Sequence, residues 1–100
     1  MRIVNSVNNV SIRLTNERWQ HISKNHQELA NLKSKILETV SNPNLIAVGK
    51  NKELIAVKKL LDIYLVVVYK EERNDGFVIT AFLTRRVEQI KKKGIIWPQK

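Results

Sequence analysis

The chain has 100 residues, 18 Lys and Arg against nine Asp and Glu, a formal net charge of +9 and no cysteine. That length makes one domain, residues 1–100, with room for one modest core, and the missing cysteines exclude a disulfide framework or a Cys-based metal site. The charge favours a polyanion partner, most simply nucleic acid, or an acidic protein.

The N-terminal stretch lacks the apolar core and cleavage site of a signal peptide, and no apolar run is long enough to span a bilayer. Together with the absence of cysteine, this sets the expectation of a cytoplasmic protein. Residues 1–10 are polar and Asn-rich and read as a loose arm or a short edge strand, ahead of a folded part at residues 11–97. Ser11–Leu14 reads as a brief strand leading into Thr15, an N-cap, with Glu17 in the first helical turn where the helix dipole favours an acid. The helix runs through Trp19, His21 and Ile22 and frays near Lys24 and Asn25. A second helix is marked by one apolar stripe, Leu29, Leu32, Ile36, Leu37 and Val40, and is stopped by Ser41-Asn42-Pro43.

From Asn44 the period becomes two. Leu45–Val48 and Glu53–Lys59 form a hairpin about the turn at Gly49–Lys52. Ile63–Tyr69 and Phe77–Thr84 form a longer one about a polar turn at Glu71–Gly76. Strict alternation in the last strand sets Phe77, Ile79, Ala81 and Leu83 on one buried face and Val78, Thr80, Phe82 and Thr84 on the other. After Arg85 and Arg86 a short basic helix spans Val87 to Lys93, stopped by Gly94, and the apolar tail Ile95–Pro98 folds back. The expected fold class is α+β, with N-terminal helices packed on a four-stranded antiparallel meander and a short basic C-terminal helix.

Few side chains bear chemistry. His21 and His26 are five apart, roughly 140° around a helix, which disfavours a shared metal ion. Each reads either as a proton shuttle or, more plainly, as a half-buried helix residue (His21) and a surface residue in a turn (His26). Lys58 shares a strand face with Leu54 and Ala56, so it snorkels at an edge or points into a cleft. Thr80 and Thr84 line one face of the last strand, where threonine is also simply comfortable. Tyr69 closes its strand as core or rim. Arg85 and Arg86 stand at a helix start, a position unfavourable to cations, which points to an external anion, and Arg73, Lys91, Lys92 and Lys93 extend the positive surface. Phosphate-loop, dinucleotide and kinase glycine patterns are absent, so neither a cofactor nor a metal is expected. A basic cleft with His, Lys, Thr and Arg suits metal-free RNA cleavage, in which the ribose 2′-OH attacks the phosphate. The same parts suit RNA binding without cleavage.

The order RLTNERWQHISKNHQEL, a helix ending in Asn42-Pro43, a lysine-bearing strand, LVVVYK, and DGFVITAFLTRR ahead of KKKG resembles the phage- and toxin-associated nuclease-like domains of the barnase, EndoU, colicin and RelE superfamily, across roughly residues 12–97. The resemblance implies a helical segment packed on a four-stranded antiparallel sheet and a metal-independent, toxin-like endoribonuclease. It implies His26 as general acid/base with His21 as the helix histidine. Lys58 and Arg85 would contact the phosphate, and Thr80 would position it, with Thr84 beside it. Asn25 stands where the family more usually has an arginine. Arg86, Lys91, Lys92 and Tyr69 would extend the RNA contact, and an acidic antitoxin or immunity protein would cover the basic face. The alternative is a non-catalytic basic RNA-binding or partner-binding domain. Convergence of His26, Lys58, Thr80 and Arg85 in one cleft would favour the enzyme. Scatter of these groups, with Trp19, Tyr64, Phe82 or Trp97 forming an exposed stacking platform, would favour the binding domain.

Overall fold

The computed structural model describes residues 2–73 and 75–98. In chain order the elements are β1 (Arg2–Asn5), β2 (Ser11–Leu14), α1 (Asn16–Asn25), a 3-10 turn (Gln27–Leu29), α2 (Lys33–Ser41), β3 (Leu45–Val48), β4 (Leu54–Lys59), β5 (Tyr64–Glu72), β6 (Asp75–Thr84), α3 (Glu88–Lys91) and β7 (Ile95–Trp97). Thr15 caps α1: its hydroxyl accepts the Arg18 N–H at 3.1 Å, satisfying one of the donors that a helix start leaves open. The expected second stripe is split. Leu29 belongs to the 3-10 turn, while Ile36, Leu37 and Val40 form the buried side of α2, which ends ahead of Pro43.

The sheet corrects the expected fold class. Instead of four antiparallel strands, the described residues form a seven-stranded mixed sheet in the order β1-β2-β6-β5-β4-β3-β7. The meander β3–β6 is present, but both of its edges are extended, because an edge strand leaves a row of backbone donors and acceptors open to further pairing. At one edge β2 lies parallel to β6, with Ser11 opposite Asp75 and Arg13 opposite Phe77, and β1 pairs antiparallel with β2. Of the two readings of the N-terminal stretch, residues 2–5 are therefore the short edge strand and not a loose arm. The turn between β1 and β2 is tied down from a distance, since the Ser6 hydroxyl and the Asn8 amide both donate to the Glu71 carboxylate on β5. At the other edge β7 pairs with β3, Ile46 opposite Trp97. Gly94, at φ +113, makes the reversal that brings β7 back, and its carbonyl accepts the Val48 N–H at 3.1 Å.

The β5–β6 hairpin is longer than expected, pairing out to Glu72 opposite Asp75. Arg73 takes a left-handed conformation in its turn, and Asn74 lies outside the described residues. A bulge breaks the expected alternation of β6. Val68 pairs with Thr80 and Tyr69 with Val78, so Ile79 is the extra residue. Val78, Ala81 and Leu83 consequently face the helices, whereas Phe77, Ile79, Thr80, Phe82 and Thr84 face away. Gly76 makes this packing possible. A Cβ there would lie 2.2 Å from the Lys70 carbonyl oxygen and 2.6 Å from Ile12 Cδ1, so no other residue passes between β2 and β5 without displacing backbone.

The main core lies between the helical layer and one sheet face, where Ile22, Leu29, Ile36 and Val40 meet Leu65, Val67 and Tyr69. A second, smaller cluster lies on the opposite face. There Val87 and Ile90, at the C-terminal helix, cover Ala47, Ile55, Val57 and Val66. The helix itself is one turn, Glu88–Lys91, so Arg85 and Arg86 precede it in a turn and do not begin it. No helix among the described residues is long and apolar enough to cross a membrane.

Candidate nucleic-acid interface

Strand alternation assigns every expected site residue to a face. Lys58 pairs with Leu65, a helix-side core residue, whereas Thr80 pairs with Val68 and Thr84 with Tyr64 on the other side of the sheet. Lys58 and the two threonines are thus separated by the thickness of the sheet. Lys58 is also occupied. Its Nζ donates to the Asn42 carbonyl at 2.9 Å, at the C-terminal end of α2, and stands 3.7 Å from the Glu38 carboxylate. Both contacts favour a cation at the negative end of the helix. The Lys35 ammonium, by hydrogen bond and charge, holds the Glu38 carboxyl below the usual carboxylate range, and Lys58 adds to this.

The histidines belong to the helical layer. His26 follows α1, and its Nδ1 lies 3.5 Å from Glu28 Oε2, both groups being partly exposed. His21 is exposed on α1, 3.2 Å from the Asn25 amide, beside a recess of about 390 Å³ that it lines with Thr15, Glu17 and Arg18. Thr84 is used locally: its hydroxyl accepts the Arg86 N–H and donates to the Arg86 carbonyl, each at 3.1 Å, shaping the turn that carries Arg85 and Arg86 into solvent. Lys91 and Lys92 are exposed on and just after α3. Tyr69 is wholly buried on the helix side, out of reach of any ligand. Its hydroxyl has no hydrogen-bond partner among the described residues, and burial, with the nearby Glu71 charge, pushes its pKa well up. His26, Lys58, Thr80 and Arg85 therefore do not share one cleft. The described residues also contain no cluster of ligating side chains fit for a metal ion.

What the fold does gather is the face away from the helices. The C-terminal helix covers its β3–β4 part and reaches Val66 on β5. Over β5 and β6 the side chains of Tyr64, Val68 and Phe82 are half-buried at the border of that smaller cluster, and Phe77 and Ile79, also half-buried, lie beyond it and outside both clusters, with Thr80 and Thr84 among them. Register places cations along this strip: Lys70 opposite Phe77, Arg13 on the other flank of Phe77, and Lys59 opposite Tyr64. Arg13 is paired with Asp75, whereas Lys59 and Lys70 make no ion pair among the described residues. An apolar and aromatic strip edged by cations suits a ligand with flat apolar faces joined by anionic links.

Residue pattern singles out Thr80, Phe82 and Tyr64, together with Trp19 and Trp97, which instead pack against the main core. It missed Phe77 and Ile79, which alternation placed in the core, and Lys59 and Lys70, which lie in runs that read as ordinary solvated surface. The available signal was one of supply: both faces of LVVV and most of FVITAF are apolar, yet only the short stretch Val87–Ile90 and the tail Ile95–Pro98 are left to cover the second face.

Comparison of the chain with protein-family models, with curated proteins and with solved structures gives no match in any of the three.

Proposed function

We propose that this protein is a basic RNA-binding domain that presents the uncovered face of β5 and β6 to single-stranded RNA, without cleaving it. The observation that carries the reading is the partly buried strip of Phe77 and Ile79, continued by Val68, Tyr64 and Phe82 and flanked by Lys59, Lys70 and Arg13, on a chain of net charge +9. Bases stack on such aromatic groups whatever their sequence, and cations at the border follow the phosphates. The separation of Lys58 from Thr80 and the occupation of Lys58 by Asn42 and Glu38 speak against a shared catalytic cleft.

The test is binding of a labelled single-stranded RNA in EDTA, followed by fluorescence anisotropy. Phe77 lies outside both buried clusters, so Phe77→Ala should leave the unfolding midpoint near wild type. Loss of one stacked base, worth about 1–3 kcal/mol, weakens binding by roughly 5- to 150-fold. Wild-type affinity in the variant, or capture of an acidic peptide in preference to RNA, would sink the reading.

The metal-independent endoribonuclease implied by the sequence resemblance keeps one observation in its favour, the His26–Glu28 pair, since a carboxylate beside an imidazole nitrogen orients the ring for proton transfer. It predicts new RNA ends bearing 2′,3′-cyclic phosphate, lost in His26→Ala. The binding reading predicts intact RNA in both proteins.

A further inference from the structure

The β3–β4 turn and the C-terminal helix gather cations at one end of this face, beside a β5–β6 turn in which Arg73 stands among Glu71, Glu72 and Asp75. Leu54 pairs with Tyr69 and Glu72 with Asp75, so the β3–β4 and β5–β6 turns lie at the same end of the sheet. In each turn one residue has a left-handed backbone, Lys52 at φ 67 and Arg73 at φ 54. Turns ordinarily place glycine or asparagine there, because a Cβ crowds the following carbonyl. Both positions hold a cation at that conformational cost, a mismatch that points outward, to a ligand, and not inward, to the fold.

Beside the β3–β4 turn lies a recess of about 380 Å³ lined by Val48, Gly49, Lys50, Gln89, Lys92 and Lys93. On the other flank of the same turn a second recess of about 380 Å³ is formed by Asn51, Glu53, Val68, Lys70 and Ile79, and so opens onto the apolar strip. The acid of this turn is Glu53, which is engaged: its carboxylate accepts the Asn51 N–H at 3.2 Å and packs against Gly49. Glu88 is the acid of α3. Lys50, Lys52, Lys92 and Lys93 form no ion pair among the described residues, so cations outnumber acids around the turn. From Ile79 to Val48 the path crosses three strand spacings, about 14 Å, which a few linked nucleotides bridge.

We infer that the β3–β4 turn is a phosphate-binding ridge for single-stranded nucleic acid: phosphates lie in the recess between the turn and α3, while the neighbouring bases lie on Val68, Phe77 and Ile79. The inference rests on the RNA-binding reading and specifies its ligand. A duplex keeps its base faces stacked inside and offers the strip nothing to stack on, so the site selects unpaired strands.

The experiment measures affinity for a labelled single-stranded RNA across a salt series, for wild type and for Lys50→Gln, Lys52→Gln, Lys92→Gln and Lys93→Gln combined. Each phosphate contact contributes about 0.7 to the slope of log K against log salt for single strands, so four lost contacts reduce the slope by about 3. A second variant, Lys52→Gly, relieves the left-handed strain. It should bind more weakly while unfolding at the same or a higher temperature. An unchanged slope in the fourfold variant would overturn the ridge while leaving RNA binding by the strip intact. Equal affinity for a duplex of the same length, which offers the strip nothing to stack on, would overturn the strip and the inference with it. No binding by wild type would overturn both. Equal affinity for single-stranded DNA and RNA supports the ridge, since phosphate and base faces are common to the two.

Discussion

Tyr69 offers the sharpest check on the fold itself. Its ring fills the centre of the main core with no exposure, yet its hydroxyl has no hydrogen-bond partner among the described residues. Burying a hydroxyl without a partner costs about 1–3 kcal/mol in proteins. Tyr69→Phe removes that oxygen and keeps the ring, so the only loss is the small packing contribution of one atom. The expected net effect is a stabilisation of about 1 kcal/mol, which in a domain of this size raises the unfolding midpoint by about 4–8 °C. The alkaline limb gives an independent reading. Burial, with the Glu71 charge, raises the Tyr69 pKa in the folded state. Below pH of about 10 both folded and unfolded chains carry the neutral phenol, and the stability is fully present. Above it the unfolded chain sheds the proton that the folded chain keeps, and stability falls as pH climbs toward the raised native value. Wild type should therefore lose stability above pH of about 10 by up to ~1.4 kcal/mol per pH unit from this group. Tyr69→Phe should lack that share of the loss. Thermal unfolding by circular dichroism across pH 7–11, about four units around the phenol pKa, reads both effects. A lower midpoint for Tyr69→Phe at neutral pH, or an unchanged alkaline limb, would refute the description of Tyr69 as a buried, unpartnered phenol.

Two further substitutions probe what holds the site in place. Gly76→Ala drives a Cβ to 2.2 Å from the Lys70 carbonyl oxygen and 2.6 Å from Ile12 Cδ1, forcing β6 away from β2 and β5. A loss of about 1–3 kcal/mol or more is expected in urea unfolding, and a wild-type midpoint would contradict the register. Lys58→Met removes the charged donor to the Asn42 carbonyl and should cost about 1 kcal/mol. RNA affinity should stay unchanged, because the lysine is on the far side of the sheet from the strip. A binding loss much larger than the stability loss would return Lys58 to a ligand site.

The helices and the central hairpins were legible in the sequence because their signals are local. Thr15 caps a helix by contacting a residue three positions on, and Asn42-Pro43 stops one by a nearest-neighbour clash. The parts that were not legible depend on partners far along the chain. Residues 1–10 read as a loose arm or a short edge strand; the edge strand Arg2–Asn5 is what forms, because Leu14 and its neighbours pair with it and because Glu71, far along the chain, fastens its turn. Ile95–Trp97 was readable as a returning segment, but its pairing with Ile46 and Ala47 was not. The candidate site suffered most from a single residue. The bulge at Ile79 reverses the phase of β6 within the strand, and with it the faces of Phe77 and Ile79. Alternation is reliable only while the ladder is regular, and nothing in FVITAF announces where the extra residue falls. Lys58 shows the complementary limit: its face was read correctly from Leu54 and Ala56, but the groups it meets, Asn42 and Glu38, are set by how α2 packs.

The most direct test of the central claim is to titrate the labelled protein with single-stranded RNA and follow backbone and side-chain signals by NMR. The account predicts that the shifts concentrate on Val68, Lys70, Phe77, Ile79 and Thr80 and spread to Lys50, Gln89 and Lys92, with His21, His26 and Glu28 unmoved. Shifts centred on His26 and Glu28, or no shifts at all, would contradict it.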